Sequence, residues 1–242
     1  MKILGYEVCE KAASEVVDLA MASSQTFMIN TLNPHSYVVA KTDALFKKAL
    51  MQSDVLLPDG SGVVFAARFV NRKLIRKVSG MDLFIAALGV LEPRSSTVLF
   101  MGSTEQVLGD LKKRVEREFP ALVVKTFSPP YKAEFSSADV TTFTNVIKAS
   151  KADAVFLGLT APKQEKLGRA IGEIDDVKMI AGVGAVFDFY SGNVKRPHAF
   201  WVRFHLEWLI RFLGEPKRLW RRNFVSTPIF LKDCLLARAR AR

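Results

Sequence analysis

Along the chain, short apolar runs alternate with longer segments in which apolar residues recur every three or four positions. The runs are Phe27-Met28-Ile29, Val55-Leu56-Leu57, Thr97 to Met101, Leu122-Val123-Val124, Asp153 to Leu159 and Val177 to Ala181. Runs of this length, punctuated by Gly, Pro and Asn, read as buried strands. The periodic segments between them predict helices over 7–22, 36–50, 62–70, 81–91, about 105–119, 137–149 and 162–172. Strands alternating with helices predict an α/β fold built on a mostly parallel sheet flanked by helices.

The residues just after the apolar runs share a character. They are Thr31 and Asn33, Asp59 and Gly60, Gly102 and Ser103, Gly158 and Thr160, and Gly182 and Gly184. Open parallel sheets bind ligands at the carboxyl ends of their strands, so small and polar residues there mark a candidate site. Asp59 follows Val55-Leu56-Leu57-Pro58, where the proline and Gly60 stop the strand and turn the chain. A carboxylate at that place can take a proton from a substrate hydroxyl. It can equally cap the helix that follows. Gly102-Ser103-Thr104 ahead of a helix suits a phosphate at the helix N-terminus, or simply a turn with a Ser/Thr cap.

Charge divides the chain. Residues 1–194 carry 23 Lys+Arg against 21 Asp+Glu, whereas residues 195–242 carry 12 against 3, for a local net charge of +9. The division sets a catalytic domain over 1–194 apart from a basic, helical appendage over 195–242 and predicts an anionic partner for the latter. Trp201, Phe204, Trp208 and Phe212 fall at helical spacing in the appendage, and Pro216 suits the start of a second helix carrying Arg218, Arg221 and Arg222. Interleaved aromatic and basic residues suit a membrane interface, or a helix pair with a solvated basic face. The uncharged window 19–40 holds too many polar residues to span a bilayer. No leader pattern opens the sequence, and Cys9 and Cys234 are expected as free thiols in a cytoplasmic protein.

Other chemistry drops out. His35, His198 and His205 have no metal-ligand spacing, and there is no Walker loop, nucleophile elbow or Asp-x-Asp pair. No metal site and no cofactor are expected.

Taken together, the motifs resemble the WecG/TagA/CpsF family of bacterial glycosyltransferases. The stretches that carry the resemblance run in order. They are Thr31-Leu32-Asn33-Pro34, Leu57-Pro58-Asp59-Gly60-Ser61-Gly62, Gly80-Met81-Asp82-Leu83, Gly158-Leu159-Thr160-Ala161-Pro162-Lys163-Gln164-Glu165, Gly182-Val183-Gly184-Ala185-Val186-Phe187-Asp188, and 206–222 with Glu215-Pro216-Lys217-Arg218. The resemblance implies a Rossmann-like domain with a C-terminal appendage. It implies transfer of a hexose-type sugar from a UDP-sugar to a polyprenyl-diphosphate-linked saccharide at the inner face of the cell membrane, for cell-surface polysaccharide. By the same resemblance Asp59 is the general base, and Arg211, Arg218 and Arg221 serve catalysis. The transfer is expected to be inverting and, in the absence of an Asp-x-Asp pair, metal-independent. Thr31, Asn33, Gly60, Gly102, Gln164, Gly184 and Asp188 are then expected to bind substrate. Thr160-Ala161 departs from the family, whose members often carry Gly or another small residue before the proline. The anionic membrane surface is an expected partner and nucleic acid is not. A nucleic-acid-binding protein and a UDP-binding regulator without turnover are the competing readings, and the sugar, linkage and oligomeric state are not fixed.

Overall fold

The computed structural model describes residues 1–193 and 220–240. Its centre is a six-stranded sheet made of β3 (Phe27–Leu32), β4 (Val55–Pro58), β5 (Thr97–Gly102), β6 (Val123–Phe127), β7 (Ala154–Gly158) and β8 (Met179–Gly182). The order across the sheet is β4-β3-β8-β7-β5-β6, and every pairing is parallel. All six carboxyl ends therefore emerge along one edge. The Rossmann-like α/β reading of the sequence is the architecture observed.

Helices cover both faces, which is why the central strands are apolar on both sides. On one face lie α1 (Ala13–Ala22), α5 (Gly80–Leu91), α6 (Glu105–Glu118) and the short α9 (Val186–Tyr190). They close an aromatic cluster in which Phe84 packs against Phe100, Phe156, Phe187 and Tyr190. On the other, α7 (Ser137–Ser150) and α8 (Lys163–Ile171) bury Phe143, Ile147, Leu167 and Ile171 against Leu99, Val155 and Ile180.

A third cluster lies beside β4. It is built from α2 (Pro34–Ala40), α3 (Ala44–Met51), α4 (Ser61–Asn71), the hairpin of β1 (Lys2–Ile3) and β2 (Tyr6–Glu7), and α10 (Thr227–Arg240). Ser226, Phe230 and Cys234 recur every four residues and are buried, so one side of the C-terminal segment is sunk into the domain. Tyr37 of α2 packs edge-on against Phe230 and donates its hydroxyl to Asp233, which also accepts from Lys41 at 2.6 Å. Cys9 and Cys234 are free thiols.

Two expected helices are corrected. The helix expected over 7–22 begins only at Ala13, because Leu4 and Gly5, both at positive φ, turn the chain so that Tyr6–Glu7 pairs with Lys2–Ile3. The helix expected over 36–50 is two. It breaks at Lys41-Thr42, and Asp43 starts α3 afresh by accepting from the Phe46 N–H at 2.9 Å. Apolar periodicity runs through such a break unseen, since both halves face the same core.

Candidate active site

β4, β3, β8, β7 and β5 are neighbours, so the residues following them line a continuous edge roughly 19 Å long at about 4.8 Å per strand. At one end, Asp59 follows β4 directly and is half-buried. Its backbone N–H donates to Leu32 at 2.9 Å, which ties it to the end of β3. The N-cap of α4 is Gly60, one residue beyond the aspartate. Gly60 sits at φ 89°, a conformation that L side chains rarely adopt, and a Cβ there would meet only open space. The chain thus turns sharply next to Asp59, with room around Gly60.

Asn33 caps α2. Its Oδ1 accepts from the His35 and Ser36 N–H groups at 3.0 and 2.9 Å, and the Ser36 hydroxyl takes the Asn33 N–H in return. The oxygen is committed to the helix, so the Nδ2 amide is the part of Asn33 that can serve a ligand. Thr31 lies two residues earlier on β3, half-buried and in register with Leu57. Gly62 holds the two loops together, because a Cβ on it would overlap the Pro34 ring. Asp59 and Asn33 are therefore fixed relative to one another by covalently short, tightly packed connections.

Further along the edge, Gly182 has no side chain where Asn30 Oδ1 and Gln164 Nε2 come within 2.6 and 3.0 Å of the would-be Cβ. Gln164, on the first turn of α8, is buried, and its Oε1 accepts from the Gly184 N–H at 2.9 Å. Gly184 lies at φ 63°. Gly102, at φ 133°, passes so close to the Gly158 carbonyl that no other residue fits. Ser103 is also at positive φ; its hydroxyl meets Asp188 of α9 at 3.3 Å, and its carbonyl accepts from Ser128. Thr104 caps α6 through the Val107 N–H, as the turn-and-cap reading requires.

The C-terminal segment reaches the first of these groups. His35 Nδ1 lies 2.8 Å from the Ser226 hydroxyl. Burial, followed by the positive charges of Arg222 and Arg221, holds the His35 imidazole below its usual pKa. Arg221 is thus electrostatically coupled to the helix that Asn33 caps. Arg211 and Arg218, like Trp201 and Trp208, lie outside the described residues. Among those described, no group of three or more His, Cys, Asp or Glu is placed to hold a metal ion, and no helix is long and apolar enough to cross a membrane.

A family model described as the glycosyl transferase WecG/TagA/CpsF family matches residues 1–242. The chain belongs to the WecG/TagA/CpsF family of glycosyltransferases. It is similar to an N-acetylglucosaminyldiphosphoundecaprenol N-acetyl-beta-D-mannosaminyltransferase of Bacillus spizizenii, 34% identical over 86% of this chain and 78% of the relative. Proteins of the same name from Bacillus subtilis and Staphylococcus aureus are 31% and 24% identical, over 81% and 95% of this chain and 74% and 89% of theirs.

Within this glycosyltransferase, sequence reasoning assigned no part to His35, Ser226, Ser128 or Glu165. The first three meet partners far away in sequence, which no local spacing shows. Glu165 was visible in principle. On a helix whose inward face is Gln164, Leu167, Gly168 and Ile171, position 165 lies one turn before Gly168 and faces inward with it.

Proposed function

We propose that this protein transfers a hexose-type sugar from a UDP-sugar to a polyprenyl-diphosphate-linked saccharide, with Asp59 as the base. The observation that carries the reading is the placement of Asp59, bonded through its backbone to Leu32 at the carboxyl edge of the sheet, one residue after β4 and one before Gly60 at φ 89°. In an inverting displacement the acceptor hydroxyl oxygen bonds to the anomeric carbon. The carbon–oxygen bond to UDP breaks with its electron pair on the diphosphate, and the hydroxyl proton passes to the Asp59 carboxylate. Thr31, Asn33 and Gly60 surround that proton transfer. Gly102, Gln164, Gly184 and Asp188 form the donor side. The names of the relatives favour an acceptor ending in N-acetylglucosamine and a donor carrying N-acetylmannosamine. A panel of UDP-sugars offered with a short-chain polyprenyl-diphosphate-N-acetylglucosamine acceptor, followed by UDP release, tests the reading. Release that does not depend on acceptor, or no release with any donor, counts against it.

The departing UDP gains negative charge. Arg211, Arg218 and Arg221, with backbone N–H donors, are proposed to stabilise it without a divalent metal, since Arg binds phosphate oxygens bidentately. Turnover is expected to survive EDTA. Activity lost to EDTA and restored by Mn²⁺ would end this part of the proposal.

The acceptor's lipid brings the enzyme to the inner membrane face. The +9 charge over 195–242 supports this, as does the side of the C-terminal segment turned from the core, where Trp220 and Leu235 are 57% and 60% exposed beside Phe224 and Leu231. Vesicles rich in anionic lipid are expected to bind the protein, less so as salt rises, while duplex DNA does not. Arg218→Ala and Arg221→Ala are expected to cut turnover more than vesicle binding. Equal losses would confine these arginines to anchoring.

A further inference from the structure

Gln164 and Glu165 are among the most deeply buried polar residues described, at 4% and 2% exposure. Gln164 Nε2 donates to Glu165 Oε1 at 3.0 Å, while its Oε1 accepts from the Gly184 N–H. A backbone N–H can only donate, so the amide oxygen must face Gly184 and the NH₂ must face Glu165. Flipping the amide would set two donors against each other at Gly184 and two acceptors against each other at Glu165. The Gly184 N–H and Glu165 Oε1 therefore fix together which way Gln164 points. Its other oxygen, Oε2, is buried without a hydrogen-bond partner. Burial pushes the Glu165 carboxyl up to about 7, with the Gln164 amide opposing. A neutral carboxyl with its proton on Oε2 keeps Oε1 as the acceptor that the amide needs.

The loop after β8 depends on this arrangement. Val183 is held by backbone contacts, its N–H donating to Leu157 at 3.0 Å and its carbonyl lying 2.8 Å from where a Cβ on Gly80 would be. Gly184, at φ 63°, has the Gln164 oxygen as its side-chain anchor. From here the chain enters α9 and reaches Asp188.

We propose that Glu165 is a positioning residue of the transfer site: it locks the Gln164 amide in the orientation that anchors Gly184, and thereby places the donor-side loop between β8 and α9. The inference rests on the glycosyl-transfer reading for its catalytic consequence, and on hydrogen-bond geometry alone for its structural one.

The test uses the full chain with Glu165→Met and Glu165→Gln, each alone and with Gln164→Ala. Turnover, KM for the UDP-sugar and hydrogen–deuterium exchange of the peptide containing Gly184 are measured. Glu165→Met removes the acceptor and is expected to lower kcat roughly ten- to a hundredfold, more than it changes KM, and to speed exchange at Gly184. Glu165→Gln keeps an acceptor oxygen, so turnover within about threefold of the parent and unchanged exchange at Gly184 are expected. In the Gln164→Ala background, Glu165→Met should add less than about a twofold loss, because the two residues act as one unit. Full additivity, unchanged Gly184 exchange in Glu165→Met, or a Glu165→Gln variant as impaired as Glu165→Met would each overturn the proposal. Should Glu165→Met fail to fold, Glu165→Gln and the exchange at Gly184 in Gln164→Ala decide alone, slow exchange in the latter being the contrary result. A parent protein that transfers no sugar refutes the functional reading, and the exchange data still judge Glu165.

Discussion

Asp59→Asn is expected to lower kcat by roughly 10²–10⁴-fold while leaving UDP-sugar affinity nearly unchanged. Asparagine is almost the same size and cannot accept the hydroxyl proton. The backbone bond from residue 59 to Leu32 does not involve the side chain, so the turn into Gly60 should survive the change. A fall in kcat without a rise in KM isolates the proton transfer. Kinetics close to those of the parent would remove Asp59 from the role of base. A large rise in KM would make it a binding residue instead.

The second large effect concerns stability. Phe230 is 1% exposed, packed edge-on to Tyr37 at a centroid distance of 5.3 Å, and belongs to the cluster formed by the hairpin and α2 to α4. Truncating a buried phenylalanine to alanine costs about 3–5 kcal/mol through lost burial and the cavity left behind. For a chain of this length each kcal/mol shifts the melting temperature by about 2–4 °C. Phe230→Ala should therefore lower it by roughly 6–20 °C, read by differential scanning calorimetry. A shift under about 2 °C would mean that α10 contributes little to the fold. Leu235→Ala, on the exposed side of the same helix, is the control and should barely move it.

The sequence showed the sheet well because parallel strands buried on both faces read as uninterrupted apolar runs, as at Val55-Leu56-Leu57 and Val98 to Met101. It showed the strand ends for a related reason. The glycines there are demanded by backbone shape, and that demand is local: Gly60, Gly102 and Gly184 all lie at positive φ. What stayed hidden depends on contacts between distant positions. Glu7 looks helical until Leu4 and Gly5 turn Tyr6–Glu7 onto Lys2–Ile3, and Asp43 divides a helix that periodicity joins. Charge set residues 195–242 apart, yet composition carries no information on what a segment packs against, and Phe230 and Cys234 lie in the core. The side-chain pairs that shape the site, His35 with Ser226 and Ser103 with Asp188, join positions 191 and 85 residues apart.

The third cluster, which joins Ile3 and Tyr6 to Phe230 and Cys234, also has a kinetic consequence. Joining the two ends of an unfolded chain costs loop-closure entropy, and a sheet already formed shortens the path between them. The sheet and its two helical layers can therefore condense first, with the cluster behind α2 sealing afterwards. Because Asn33 caps α2, a chain in that intermediate state would have its strands in place while the proton-transfer corner is still unsupported. Recovery of far-UV dichroism is then expected to run ahead of recovery of UDP release during refolding, and simultaneous recovery would show that the cluster forms together with the sheet.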